Sequence, residues 1–132
     1  MDKPTLLAAL RSALAGRSDV RLALLFGSRV RGTHRPDSDV DLAVLTAPGA
    51  DLLAISAELR DAVSLEVDLV PLSDASIPLL SQVINEGELV HECPFGTASA
   101  WRTRVLIDLE TDRPWFTKMR DSFLRRVAEK GV

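Results

Sequence analysis

The sequence has little of what secreted and membrane proteins need. Its single cysteine, Cys93, cannot form a disulfide within the chain, which fits a reducing compartment. No apolar run approaches the roughly 20 residues that a membrane-spanning helix requires. The N-terminus has neither the basic leader nor the small-residue cleavage site of a secretory signal. We therefore expect a cytoplasmic protein with no membrane segment.

Strong charge is also missing. The formal net charge is −3, so a bulk electrostatic attraction to nucleic acid is not indicated, and no stable nucleic-acid binding is expected. A chain of 132 residues is about one domain long. We predict a single domain over residues 1–132, with a core of about 1–92 and a helical tail of about 96–130.

The hydrophobic pattern predicts an α/β fold. Apolar stripes at helical spacing alternate with short apolar runs typical of strands. The connection between residues 27 and 38 is too short for a full helical crossover, which favours a small mixed sheet with flanking helices. Helices are predicted at 2–15, 52–63 and 76–86, and strands at 20–26, 39–45, 65–71 and 88–91.

Two acidic residues stand out between apolar neighbours in the stretch "LFGSRVRGTHRPDSDVDLAVL", residues 25–45. Side chains alternate along a strand, so Asp39 and Asp41 should project from the same face. Like charges at that spacing repel each other unless a cation lies between them. Mg²⁺ suits this arrangement, because it commonly takes one or two carboxylates together with water and substrate phosphates.

A third carboxylate is predicted on the next strand. Asp68 interrupts the apolar run "LEVDLV". If this strand pairs beside residues 39–45, Asp68 completes a triad of carboxylates able to hold two metal ions, and it could also accept the proton of an attacking hydroxyl. The alternatives are a buried acid satisfied by backbone donors and an acid on an edge strand.

The Gly-Ser pair after the first strand predicts a phosphate-binding turn. Gly27 permits a sharp turn and close approach to a ligand, and "SRVRG" could begin a short helix whose N–H groups point at a phosphate. Ser28 would add a hydroxyl, or could instead be a simple helix N-cap. Three nearby arginines could neutralise a triphosphate. The sequence does not select among Arg29, Arg31 and Arg35, and His34 in the same loop has no assigned role.

The spacing of Gly27-Ser28 and Asp39-Val40-Asp41 resembles the signature of the DNA polymerase β-like nucleotidyltransferase superfamily. The stretch "GSRVRGTHRPDSDVDLAVL" is especially similar to its minimal nucleotidyltransferases. The resemblance implies a polymerase β-like fold, with Asp39, Asp41 and Asp68 as catalytic, Mg²⁺-binding residues. It implies that Gly27 and Ser28 contact the nucleotide phosphates, and we also count Arg29, which follows them directly, among the predicted nucleotide-binding residues.

The same resemblance implies a reaction and a partner. The family transfers AMP from ATP to a hydroxyl and releases pyrophosphate. Its minimal members act as antitoxins that modify a tyrosine of a HEPN-domain ribonuclease toxin, with which a hetero-oligomer is expected. Two alternatives stay open. One is a nucleotidyltransferase for a small-molecule hydroxyl, such as that of an aminoglycoside, although those enzymes carry an additional domain. The other is a non-catalytic antitoxin that acts by binding alone.

Overall fold

A computed structural model describes residues 2–110 of the chain. The chain divides into two units, Met1–Ala100 and Trp101–Val132. Residues 97–110 are helical, and the remainder of the predicted helical tail lies outside the described residues. Among the helices described, none is long and apolar enough to cross a membrane. The prediction of a single domain over the whole chain stays a prediction.

Eight helices and strands make up most of the first unit. All have bounds within two residues of those predicted, apart from the short helix at Ser28–Arg31, for which the sequence predicted where it begins but not where it ends. In chain order they are α1 (Lys3–Leu14), β1 (Val20–Phe26), α2 (Ser28–Arg31), β2 (Val40–Thr46), α3 (Leu52–Val63), β3 (Val67–Pro71), α4 (Ile77–Glu86) and β4 (Glu88–Glu92).

The three longer helices begin at side-chain caps. Asp2 accepts a hydrogen bond from the Thr5 N–H at 2.9 Å, and Asp51 accepts one from the Ala54 N–H at 3.1 Å. Ser76 caps α4 in the same way. Such caps satisfy N–H groups that have no partner within the helix, so they fix where each helix starts.

The strands form one mixed sheet in the order β3-β2-β1-β4. The strand β1 pairs antiparallel with both β2 and β4, whereas β2 and β3 are parallel. The parallel strands β2 and β3 are connected through α3, and the antiparallel strands β1 and β2 are connected by the short stretch that contains α2. The predicted mixed sheet is confirmed.

One face of this sheet carries the main core. Inward residues of β1 and β2 pack with the apolar stripes of α1 and α3. The buried members include Ala23, Leu25, Val40, Leu42, Val44, Leu6, Leu10, Leu14, Ile55, Leu59 and Val63. The helix α4 packs mainly on β1 and buries only Val83 fully. Three further apolar residues of this helix, Ile77, Leu80 and Ile84, are half-buried.

Candidate active site

Alternation along β2 places its acidic residue on the face opposite the main core. Val40 and Leu42 are fully buried in the core, and Asp41 between them is half-buried. Asp39 is exposed and comes one residue before β2, which starts at Val40 rather than at 39 as predicted. The strand therefore holds Asp41 firmly, while Asp39 sits at the end of the loop that leads into it.

The third predicted carboxylate lies directly beside the second. The parallel register of β2 and β3 pairs Asp41 with Asp68, which confirms that the two strands are neighbours. The strand β3 is at the edge of the sheet, and Asp68 is exposed. The alternative of a buried, backbone-satisfied acid is therefore wrong for Asp68. Its carboxylate is exposed to solvent next to Asp41.

Electrostatic crowding is centred on Asp41. Burial raises the pKa of the Asp41 carboxyl above its usual value of 3.8, and the charges of Asp68, Asp39 and Glu86 raise it further. The charge of Arg31 opposes this shift of the pKa. Because several carboxylates disfavour one another's ionised form, the site would gain from a bound cation.

The donor set fits Mg²⁺, which takes hard oxygen ligands and often only one or two carboxylates. Within residues 2–110, however, no group of three or more His, Cys, Asp or Glu side chains is arranged so that it could hold a metal ion. Asp39 and Asp68 are exposed, so their side chains are free to turn toward Asp41. Metal binding by Asp39, Asp41 and Asp68, and the number of ions, stay predictions.

The Gly-Ser turn lies against the central carboxylate. Gly27 has φ +85°, a conformation that favours glycine, and a Cβ built on it would lie 2.5 Å from Asp41 Oδ2. The preceding residue, Phe26, is the register partner of Asp41 across the sheet. Any side chain at position 27 would therefore displace the carboxylate. The positive φ of the backbone and the close approach to Asp41 together favour glycine here.

The short helix predicted after this turn is present as α2. Gly27 is its N-cap residue and Ser28 its first helical residue. The alternative that Ser28 is an N-cap is therefore wrong. Phosphate contacts by Gly27 and Ser28 stay predictions, although both residues are placed beside Asp41 by the turn.

The buried arginine of α2 contacts the loop that precedes Asp39. Arg29 is 2% exposed, and its guanidinium donates hydrogen bonds to the backbone oxygens of Pro36 at 3.1 Å and Ser38 at 2.9 Å. Its Nε atom has no hydrogen-bond partner in the part of the chain that the structure describes. Nucleotide binding by Arg29 stays a prediction. The two hydrogen bonds observed stabilise the loop that leads to Asp39.

A residue that sequence reasoning missed lies at the centre of the polar contacts. Glu86, at the end of α4, accepts hydrogen bonds from the Gly27 N–H at 2.9 Å and from Gln82 at 2.8 Å. Arg31 donates to both of its carboxylate oxygens at 3.0 Å. Burial alone would raise the pKa of Glu86, but the bonds from Gln82, Gly27 and Arg31 outweigh it and lower the pKa.

Only tertiary structure brings Glu86 to this position, because 59 residues separate it from Gly27. Its local sequence, "INEGE", is that of an ordinary helix end before a glycine. Nothing in that segment distinguishes Glu86 from a solvated acid.

Arg35 and the two histidines differ in their contacts. The Arg35 N–H donates to the Ser38 hydroxyl at 2.7 Å, and the Arg35 side chain is exposed. His34 is half-buried, and its Nδ1 has no hydrogen bond to the residues described. His91, which lies on β4, contacts the Val20 carbonyl at 3.0 Å, a structural role.

Similarity to known proteins was found at the level of sequence and of structure. Protein adenylyltransferase MntA of Shewanella oneidensis is 40% identical over 72 residues, which are 52% of this chain and 52% of MntA. The chain thus spans about half the length of this curated relative.

Two solved structures share the fold. A chain in the crystal structure of a toxin-antitoxin pair with AMP-PNP matches with a TM-score of 0.69 and 24% identity, over 94% of this chain and 99% of that chain. A chain in the structure of the tri-AMPylated Shewanella oneidensis HEPN toxin in complex with MNT antitoxin matches with a TM-score of 0.65 and 23% identity, over 94% and 99%.

A family model ties these findings to the site. The model described as polymerase beta, nucleotidyltransferase, matches residues 9–93, which is more than half of the chain. The matched range contains the Gly-Ser turn, all three carboxylates and Glu86. The chain belongs to the polymerase beta nucleotidyltransferase family.

Proposed function

We propose that this protein transfers AMP from ATP to a tyrosine hydroxyl of a HEPN-domain ribonuclease toxin and thereby neutralises the toxin. The observation that carries the proposal is the packing of the Gly27 turn against Asp41, with Asp68 in register beside it. The similarity to the adenylyltransferase MntA supports AMP as the transferred group. The proposal includes a cytoplasmic location and a complex with the toxin.

The reaction needs a nucleophile, a proton acceptor and a leaving group. The tyrosine oxygen forms a bond to the α-phosphorus of ATP, and the bond from that phosphorus to the α,β-bridging oxygen breaks, which releases pyrophosphate. Asp68 is the proposed acceptor of the hydroxyl proton, because it is exposed beside Asp41 and accessible to an incoming chain. Ser28 and Gly27 are proposed to contact the nucleotide phosphates.

Mg²⁺ is the proposed metal, held by Asp39, Asp41 and Asp68. When bound, it would neutralise phosphate charge that develops during transfer. The three carboxylates have the oxygen donors that it prefers, and the raised pKa of Asp41 reflects negative charge that a cation would offset.

The composition supports an acceptor on another polypeptide. The sequence has no tyrosine, so a tyrosine that receives AMP cannot lie within these 132 residues. The same fact simplifies the assay, because AMP linked to tyrosine identifies modification of the partner.

The test is to incubate the protein with ATP labelled at the α-phosphate, Mg²⁺ and a purified HEPN toxin. We expect label on a toxin tyrosine, lost in the variant Asp39→Ala plus Asp41→Ala. A matched control, Glu58→Ala plus Asp61→Ala, removes the same charge from α3, whose apolar stripe packs on the opposite face of the sheet. This control should retain transfer.

Other outcomes would contradict the proposal. Label on an aminoglycoside but not on the toxin would favour a small-molecule acceptor. Full neutralisation of the toxin by the variant Asp39→Ala plus Asp41→Ala would favour an antitoxin that acts by binding alone. AMP transfer in the presence of a chelator and without added Mg²⁺ would show that the reaction does not require the metal.

A further inference from the structure

The Gly-Ser turn makes a hydrogen bond that links it to a distant helix. The Gly27 N–H is directed at Glu86, so this turn is attached to α4 as well as to the strand that precedes it. The turn itself is only a few residues long and has φ +85° at Gly27. The Gly27 carbonyl accepts hydrogen bonds from the Val30 and Arg31 N–H groups of α2, and the bond to Glu86 joins this local arrangement to a distant helix.

Glu86 is itself held in place from two sides. Gln82, one helical turn earlier in α4, donates to the same oxygen that accepts the Gly27 N–H, at 2.8 Å. Arg31, at the end of α2, donates to both oxygens. The Glu86 side chain is 18% exposed, and that of Arg31 is 48% exposed. The Glu86 carboxylate is thus mostly shielded from solvent, and it accepts hydrogen bonds from both α4 and α2.

The cluster composed of Gln82, Glu86 and Arg31 contacts both ends of the segment from Gly27 to Arg31. It bonds the first residue of the turn and the last residue of α2, and Ser28 lies between them. The turn that the cluster bonds also packs against Asp41, since a Cβ at Gly27 would lie 2.5 Å from Asp41 Oδ2. The hydrogen bonds of the cluster therefore connect the turn and the end of α2 on either side of Ser28.

We infer that Glu86 is a positioning residue for nucleotide binding, which holds the Gly27-Ser28 turn in the conformation that receives the phosphates. It acts through the Gly27 N–H and Arg31 and does not itself contact the reacting atoms. The inference rests on the proposed function in so far as the ligand is a nucleoside triphosphate. Preorganised donors bind a ligand without the cost of ordering the loop, so loss of Glu86 should weaken binding.

The experiment compares Glu86→Ala, Glu86→Gln and wild-type protein in the full chain. Affinity for AMP-PNP with Mg²⁺ is measured by calorimetry, and the Gly27 amide is followed by NMR hydrogen exchange. We expect Glu86→Ala to weaken AMP-PNP binding about tenfold and to deprotect the Gly27 amide. Glu86→Gln keeps an oxygen that can accept the Gly27 N–H and should restore affinity to within about threefold of wild type.

Kinetics provide a further readout. With ATP and the toxin, we expect Glu86→Ala to raise the KM for ATP more than it lowers kcat, because the turn contacts the nucleotide and not the acceptor. The control is Glu58→Ala, which also removes a glutamate paired with an arginine, Arg17, but on α3. It should leave AMP-PNP affinity and the Gly27 amide unchanged.

Three outcomes would overturn the inference. They are AMP-PNP affinity of Glu86→Ala within about twofold of wild type, equal impairment of Glu86→Gln and Glu86→Ala, and failure of the wild-type protein to bind AMP-PNP. If Glu86→Ala does not fold, Gln82→Ala decides, with an expected two- to threefold weakening, since it removes a bond that orients Glu86. Wild-type protein that binds AMP-PNP but modifies no toxin would refute the proposed function while leaving this inference to be decided by affinity.

Discussion

The two faces of β2 differ in what holds them in place. On one face, Val40, Leu42 and Val44 are 0–3% exposed and pack into the main core. On the other, Asp41 is half-buried beside Asp68 and contacts the Gly27 turn. The first face is stabilised by the non-directional burial of apolar area, and the second depends on a few hydrogen bonds and charges of defined geometry.

This difference implies that the carboxylate face carries a cost to stability. Burial and neighbouring charges raise the pKa of Asp41, so its ionised form destabilises the folded chain. The apolar face has the opposite character, since every buried methyl group favours folding. Substitutions on the two faces should therefore separate activity from stability.

The largest effect is expected for Asp41→Asn, which removes a charge on the site face. AMP transfer should fall about 100- to 1,000-fold, measured as kcat with labelled ATP. In a buffer that contains a chelator, the variant should be at least as stable as wild type at pH 7, measured by urea unfolding. The exposed substitution Asp61→Asn is the matched control and should retain transfer.

The pH dependence has a definite sign. Because the folded pKa of Asp41 is raised above 3.8, its destabilising effect is absent below that pH and appears as the pH rises through the folded pKa. The difference in unfolding free energy between Asp41→Asn and wild type should therefore be greater at pH 7 than at pH 3. A clear loss of stability in Asp41→Asn at pH 7 would contradict this comparison of the two faces.

The second prediction concerns the apolar face. Leu42 is fully buried, so Leu42→Ala should lower the free energy of unfolding by about 2–5 kcal/mol, through lost burial and the cavity that remains. The folded fraction should keep most of its transfer activity at low temperature. Leu53→Ala, at an 84% exposed position, should change the free energy of unfolding by less than about 0.5 kcal/mol. Equal effects of the two variants would invalidate the assigned burial.

The smallest effect is expected for Arg29→Met, which tests the loop that connects α2 to β2 and ends at Asp39. This change leaves the oxygens of Pro36 and Ser38 without their donor and should cost about 1–3 kcal/mol of unfolding free energy. Transfer should also decrease, because Asp39 follows this loop. Arg21→Met, at an exposed position, is the control and should change neither. Unchanged unfolding of Arg29→Met would show that the loop does not depend on this guanidinium.

Much of this architecture could be predicted from local patterns. Apolar periodicity predicted the helices, two of which begin at the caps Asp2 and Asp51, because such signals act over a few residues. The alternation of side chains along β2 accounts for Asp41 lying on the face opposite the core residues Val40 and Leu42. The sequence predicted that Asp68 lies beside Asp41 only if their two strands are neighbours. Which strands are neighbours depends on the whole sheet, and the structure shows that these two are paired.

What the sequence alone determined is the chemistry available to this protein: the Gly-Ser turn, the carboxylates at fixed spacing and the strands that display them. Such features follow from alternation and backbone sterics, which need no distant contacts. Tertiary structure alone decided that Arg29 is buried under the loop before Asp39 and that Glu86 bonds the Gly27 N–H. Both depend on packing between segments, and a solvated arginine or glutamate has the same local sequence as a buried one.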